Sequence, residues 1–363
     1  MRARATVCQR LLLVLAALAL APPARADDAG LLERRLRKAY GLRHDESLSR
    51  AAAALARAAG RGEPPTLAAV TEALAREGLA DAEALPLAAV GSAEAALGAL
   101  EAQAKASLPE HGATHLGIAV VSSGSATSAA LVAVRRLFEV GPIPPEPPAS
   151  GLRLRGQILA GRSPAVLLMR PSGEVERLEP SLEGAALVVA VPFREGPGPY
   201  VLEVLLSTER GPEIAGLWRL RVGGKAEGRA LPNPPHETAE QILPAINALR
   251  AAARRSPLIA DAVLNRAAQQ RAGALCQSAI ARHVDAQGEG PVERARAAGY
   301  RGAFLAENVA IAPSLARAHE NLLGSPSHRE NLLSPRARRF GLGVSTRPDR
   351  VCAVELLGDS AQE

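Results

Sequence analysis

At 363 residues, 47% of them hydrophobic and 22% charged, the chain is long enough for two or three domains and apolar enough to bury their cores, which excludes wholesale disorder. The formal net charge of +6 does not argue for nucleic acid. Arg2, Arg4, Arg10 and Arg25 carry most of that excess, aromatics are only 2%, and no basic stripe interleaved with aromatic side chains is present.

Arg2, Arg4 and Arg10 lead into the apolar run Leu11–Ala21, then Pro22-Pro23 and Ala24-Arg25-Ala26. A basic start, a short apolar core and an A-x-A site have the form of a signal peptide over residues 1–26, cleaved after Ala26. The run is about half of the roughly 20 residues that span a bilayer. Cys8 precedes the run, so it is not placed as a lipid-attachment site. No later stretch is long and apolar enough to cross a membrane, and the mature chain is expected to be exported, to a periplasm or out of the cell. In an oxidising compartment Cys276 and Cys352 remain as an even pair. Either they form a disulfide, worth roughly 4 kcal/mol in the chain-entropy model, or they are two small buried thiols.

Residues 27–140 read as helices followed by strands. Leu31–Tyr40 is helical, Asp45 caps a second helix, Thr66 starts a third after Pro64-Pro65, and Ser92–Ala106 is a fourth. Leu116–Val121 and Ala130–Phe138 read as strands. The carboxy-terminal third has the same order. Leu42–Ala52 aligns with Leu258–Ala268, matching Leu, Asp, Leu, Arg, Ala and Ala in place, and Gly117-Ile118-Ala119-Val120 aligns with Gly341-Leu342-Gly343-Val344. This reads as a duplication whose first copy has no chemistry. His44, His111 and His115 are expected on the surface.

Residues 141–150 form a Pro-rich linker. In 151–225 the period changes to two: Leu152–Ile158, Val166–Met169, Val175–Leu178, Ala185–Val191, Tyr200–Leu206 and Leu217–Val222 predict a small antiparallel β-sandwich. The approach Glu195–Tyr200 resembles that of a late strand in immunoglobulin-like modules. Trp218 is expected in the core. The segment offers no catalytic cluster and reads as a spacer or adhesion unit. Residues 226–236 are a second linker.

In 237–360, Thr238 and Gln241 have capping-box spacing, with Pro244 expected in the first turn of a helix carrying Asn247 and Arg250. Asp261 caps the next helix and His283 follows its end. Pro291 opens a short helix to Gly299. Glu307-Asn308-Val309 is a non-helical passage, Ser314 starts a helix to Leu323, and Ser325-Pro326 starts a one-turn helix carrying His328. Strands follow over Arg339–Thr346 and Val351–Leu357.

This ordered set, with Ser325-Pro326-Ser327-His328-Arg329-Glu330-Asn331-Leu332-Leu333 and Gly341-Leu342-Gly343-Val344 as its most specific pieces, resembles the CAP superfamily: cysteine-rich secretory, antigen 5 and pathogenesis-related 1 proteins and their bacterial SCP-like relatives. The Ala- and Arg-rich, Lys-poor composition suits a bacterial source. The resemblance covers about the last third of the chain and implies an α-β-α sandwich there. It also implies an open cavity gathering His283, Glu307 and His328, with Asn308 and Ser325 beside them. Two imidazoles and a carboxylate would give a divalent ion, zinc or magnesium, three ligands and room for water. His283 and His328 are then the metal candidates and Glu307 the candidate catalytic base. The second glutamate of eukaryotic members falls near Ser325 and is absent, Leu322 stands for a common tryptophan, and Ser327 for the usual glycine. Against these roles, Ser325-Pro326 is a good helix start in itself, Asn308 can serve backbone groups, and His328 can be a packed side chain.

The chain is therefore expected to be a multidomain α+β protein: an amino-terminal CAP-like helical and strand unit, a central immunoglobulin-like sandwich and a carboxy-terminal CAP fold. Its expected function is non-enzymatic binding of a small lipidic molecule or cell-envelope component, with a divalent metal in the His/Glu cavity as an option. One alternative is a metal-assisted hydrolase using His283, His328 and Glu307. The other is a structural or adhesive envelope protein.

Overall fold

The computed structural model describes residues 26–63, 65–123, 126–141, 143–223, 238–278, 280–348 and 350–359. The expected signal sequence (but for its last residue) and the second linker lie outside the described residues, as does Asp349.

The amino-terminal unit runs α1 (Ala26–Tyr40), β1 (Arg43–His44), α2 (Glu46–Gly60), α3 (Leu67–Arg76), β2 (Ala84–Gly91), α4 (Ala93–His111), β3 (His115–Ser123) and β4 (Ala126–Val134). Asp45, Thr66 and Ser92 each accept a backbone N–H at a helix start. The sheet order is β1-β3-β4-β2, with β1 parallel to β3 and the other pairs antiparallel. Alternation along β4 feeds two cores. Ala129, Leu131 and Ala133 pack with Leu32, Leu36 and Leu100 on one face, while Ala130, Val132 and Val134 pack with Leu48, Leu55 and Val70 on the other. Strand β2 has no clear sequence signal because Pro86 interrupts it. It lies at the sheet edge, where proline is tolerated. His111 and His115 are buried rather than on the surface. His115 begins β3 beside Arg136, which is itself paired with Asp45 and Asp81.

The central unit comprises β5 (Phe138–Val140), β6 (Leu152–Ile158), β7 (Arg162–Met169), β8 (Val175–Leu178), β9 (Ser181–Glu183), β10 (Ala186–Val191), β11 (Gly198–Thr208) and β12 (Gly211–Val222). Phe138, expected at the end of an amino-terminal strand, instead pairs with Ile158 and packs in the central core. Sheets β5-β6-β10-β9 and β12-β11-β7-β8 enclose Leu154, Leu168, Leu187, Leu202 and Trp218. The Tyr200 hydroxyl receives the Glu195 N–H (3.1 Å) and donates to the Gly196 carbonyl (3.1 Å), fixing the turn into β11. Leu167, Met169, Val201 and Glu203 point away from this core and are buried as well. The face of β7 and β11 that a free sandwich would expose is covered by the third unit.

The carboxy-terminal unit runs α5 (Ala239–Ala252), β13 (Ile259–Ala260), α6 (Ala262–Ser278), α7 (Pro291–Ala297), β14 (Leu305–Ala312), α8 (Leu315–Leu323), α9 (Pro326–Leu332), β15 (Arg339–Arg347) and β16 (Arg350–Gly358). Helix α5 passes through Pro244 instead of starting there. Its Thr238–Gln241 capping box holds the first turn, and Pro244, past that turn, forfeits the one hydrogen bond its position would give to the Glu240 carbonyl. Glu307-Asn308-Val309, expected as a non-helical passage, lies within the strand β14. Sheet order is β13-β15-β16-β14, with helices on both faces. A Cβ at Gly341 or Gly343 would collide with the backbone of Leu264 or Ala268, so glycine lets α6 lie directly on β15. Cys276 on α6 and Cys352 on β16 are bridged across 76 residues of chain, with Cα atoms 5.5 Å apart.

The two outer units share one topology, strand for strand. In each, the chain opens helix, short strand, helix, helix, edge strand, helix and closes on an antiparallel pair. The Asp45 N–H bonds to Leu116 O and the Asp261 N–H to Phe340 O at the same place. The register puts Pro86 and Leu87 where Glu307 and Asn308 stand. Helix α4 continues for 19 residues where the carboxy-terminal unit breaks into α8 and α9. Among the described residues no helix is long and apolar enough to cross a membrane.

Candidate functional site

Helix α9 is set in place by groups behind it. Arg250 is fully buried and donates to four carbonyls: Ser256 (2.8 Å), Leu332 (2.5 Å), Ser334 (3.2 Å) and Ala337 (3.2 Å). It thus holds the exit from α9, while the Asn247 amide clamps Leu258 through both its N–H and C=O (2.7 and 3.0 Å). Asn308 donates to the His328 carbonyl (3.2 Å) and to Glu355 (3.1 Å), and accepts from Asn331 (2.9 Å). Glu355 also pairs with His319 at 3.1 Å. Asn308 therefore fastens α9 to the sheet, and its amide is spent on that task.

Glu307 is 5% exposed and fully engaged. Its Oε1 lies 2.9 Å from His283 Nδ1, and Arg294 Nη2 donates to Oε2 at 2.9 Å and to Oε1 at 3.2 Å. Arg294, on α7, also donates to the Glu289 carbonyl and stands 3.6 Å from Asp285. Arg271 of α6 is buried nearby and donates to the Arg282 carbonyl. Burial pushes its guanidinium below the usual range, and the charge of Arg294 adds to this. His328 adjoins His283, and its Nδ1 is enclosed without a hydrogen-bond partner. Burial, reinforced by His283, pushes the imidazole down to about 3, so it is neutral at ordinary pH.

Ser325 faces away from this cluster. Its hydroxyl donates to Glu203 of the central unit (2.7 Å), and the Ser327 N–H donates to the other Glu203 oxygen (3.1 Å). Burial raises the Glu203 carboxyl pKa, and these serine hydrogen bonds oppose the rise. Further contacts close the seam: Arg329 to the Gly173 carbonyl (2.7 Å), Arg177 to Glu330 (2.7 Å), and the His283 and Val284 N–H groups to the Arg210 carbonyl (3.2 and 2.9 Å). The β11–β12 turn packs beside His283 and the outer face of β7 and β11 lies against α9, while His283 and His328 stay half-buried.

The same turn reaches the amino-terminal unit. Arg210 donates to the His111 carbonyl (3.1 Å), and Arg135 pairs with Glu209 (2.7 Å) and Glu213 (3.2 Å). Burial and the neighbouring Glu213 push the Glu83 carboxyl up to about 7, and burial pushes His111 down to about 4.

Of the expected site residues, His283 and Glu307 touch and His328 adjoins them. Asn308 and Ser325 serve packing. The expected three-ligand metal set is not assembled: among the described residues no three or more His, Cys, Asp or Glu side chains are grouped to hold an ion. His283 spends Nδ1 on Glu307, and both carboxylate oxygens accept from Arg294, so these residues do not fit a divalent centre. Sequence reasoning missed Arg294, Arg271, Glu355 and Glu203. Only Glu203 had a signal, as a single acid inside the apolar run Tyr200–Leu206.

Residues 243–354 match the model of the CAP family, described as the cysteine-rich secretory protein family. This stretch is therefore the CAP domain of the chain. Among solved structures, an outer surface protein of Borrelia burgdorferi is 24% identical, covering 33% of this chain and 90% of its own, with a TM-score of 0.31. An extracellular SCP-domain protein of Bacillus anthracis str. Ames is 14% identical, covering 57% and 82%, with a TM-score of 0.30. A cysteine-rich secretory protein of Staphylococcus aureus subsp. aureus Mu50 is 12% identical, covering 56% and 75%, with a TM-score of 0.27. Among curated proteins no relative matches the chain.

Proposed function

We propose that this is an exported, non-enzymatic protein that binds a component of the cell envelope, its CAP domain braced by the other two units. One observation carries the reading: Arg294 and His283 engage both oxygens of Glu307. A hydrolase would need a free carboxylate and an ion with an open position. A small lipid seated among His283, Glu307 and His328 would have to displace the β11–β12 turn. With Glu307 engaged and the β11–β12 turn bonded beside His283, an envelope component met at the outer surface is favoured. The shared topology of the outer units, with Pro86 and Leu87 in place of the acid and amide, supports reading residues 27–134 as a degenerate second copy kept for packing or partner contact. The signal-sequence form of the chain start and the Cys276–Cys352 bridge support export.

Cosedimentation of the purified mature chain with washed bacterial envelopes tests this. Binding that persists in Glu307→Gln is expected. A chain that stays in the supernatant would count against the reading, as would a metal-dependent hydrolysis abolished in Glu307→Gln.

A further inference from the structure

The cluster around Glu307 has the charge balance of a metal site without the ion. A divalent cation would neutralise the carboxylate and orient the imidazoles. Here a guanidinium neutralises Glu307 instead. Arg294 Nη2 lies 2.9 Å from one Glu307 oxygen and 3.2 Å from the other, and Nη1 reaches the Glu289 carbonyl and faces Asp285 at 3.6 Å. An arginine keeps its charge at any physiological pH. An ion bonded to either Glu307 oxygen would lie in contact with that charge, where Coulomb repulsion is strongest.

The supporting shell points the same way. Arg271 is buried close enough for its charge to act on Arg294 and Glu307, which adds positive potential to a space where an ion would need negative ligands. His283 turns Nδ1 toward Glu307. If its other nitrogen and the unpartnered Nδ1 of His328 were both offered to an ion, they would be two protein donors, where zinc sites take three or four.

We propose that Arg294 is the resident cation of this CAP domain and that the domain works without a divalent ion. Replacing the guanidinium with a neutral side chain of similar length would free the Glu307 carboxylate and lift the charge that bars a cation from it. This inference rests on the same Arg294–Glu307 contact as the proposed function, and zinc binding and envelope cosedimentation are separate readouts, so the failure of one is distinguishable from the failure of the other.

The test is a zinc titration of the purified mature chain against a chromogenic chelator, with native mass spectrometry for stoichiometry. The unmodified chain is expected to bind zinc no more tightly than His283→Ala does. Arg294→Met is expected to bind one zinc at least tenfold more tightly, and Arg294→Met/His283→Ala to lose that gain. One zinc per unmodified chain that is lost in His283→Ala would overturn the proposal, and so would an Arg294→Met chain, folded by circular dichroism, that gains nothing. Should Arg294→Met fail to fold, the comparison of the unmodified chain with His283→Ala still decides whether the domain holds an ion.

Discussion

Glu203 of β11 and Ser325 at the start of α9 are joined by a 2.7 Å hydrogen bond between buried side chains 122 residues apart in sequence. Glu203 also accepts the Ser327 N–H, so a carboxylate from the central unit caps the seven-residue helix that carries His328. Helix starts are usually capped from within their own chain segment. Here the cap comes from another unit, which couples the position of His328 to the seating of the sandwich.

Glu203→Ala should therefore loosen α9. It leaves the Ser325 hydroxyl and the Ser327 N–H without their acceptor, a loss of about 1–3 kcal/mol. Glu203→Gln should recover part of this, because its amide oxygen can serve one donor. Urea denaturation gives the first quantity and hydrogen exchange over 325–332 the second. Unchanged protection of those amides in Glu203→Ala would show that the cap is dispensable.

Arg250→Met should be among the most damaging single changes in the CAP domain. It keeps the bulk but strands the carbonyls of Ser256, Leu332, Ser334 and Ala337, all on the path into and out of the site. A loss above about 3 kcal/mol is expected, in the range reserved for broken buried networks. A denaturation midpoint within error of the unmodified chain would contradict the role given to these bonds.

The pH dependence has a definite sign. Burial and the neighbouring Glu213 raise the Glu83 carboxyl from its ordinary 4.5 to about 7 in the folded chain. The folded state then binds more protons than the unfolded state between those values, so this group's contribution is fully present below about 4.5 and is lost as pH rises through about 7. Glu83→Gln should lose little at low pH and gain on the unmodified chain across that window. His328 works in the opposite sense. Its pKa is lowered from 6.5 to about 3, so its contribution is present above 6.5 and lost as pH falls toward 3. Thermal midpoints measured from pH 4 to 8 for both chains check the Glu83 sign; parallel curves would contradict it.

Removing the Cys276–Cys352 bridge, as Cys276→Ser/Cys352→Ser, should cost roughly 4 kcal/mol for a loop of this length. The midpoint of the unmodified chain should fall by a similar amount under a strong reductant, while the double variant should not respond to it. Equal midpoints for both chains in the absence of reductant would place the stabilisation elsewhere.

Much of the fold was legible because its signals are local. Asp45, Thr66, Ser92, Asp261 and Ser314 are short polar side chains ahead of apolar helices, and each caps in the structure. The strands of the central unit were legible from alternation, except where both faces are buried: Val166–Met169 and Tyr200–Leu206 read as continuous apolar runs because a third unit lies on their outer side. Strand β2 was hidden by Pro86, and β14 by its own acid and amide. In the site, the ordered motif pointed to His283, Glu307 and His328, but not to what they touch. Arg294 and Arg271 look like ordinary helical arginines in sequence, and only the approach of α6, α7 and β14 makes Arg294 a partner of Glu307 and buries Arg271 near it. Glu203 lies far from the motif it caps, and no local pattern links the two.

The contrast between the unbroken α4 and the divided α8 and α9 has a consequence for how such a unit can change. Its four strands close without the turn that bears the imidazole, so the framework and the chemistry are separable parts. The four-strand framework stands with that turn or without it, Pro86 and Leu87 then taking the edge-strand places of Glu307 and Asn308.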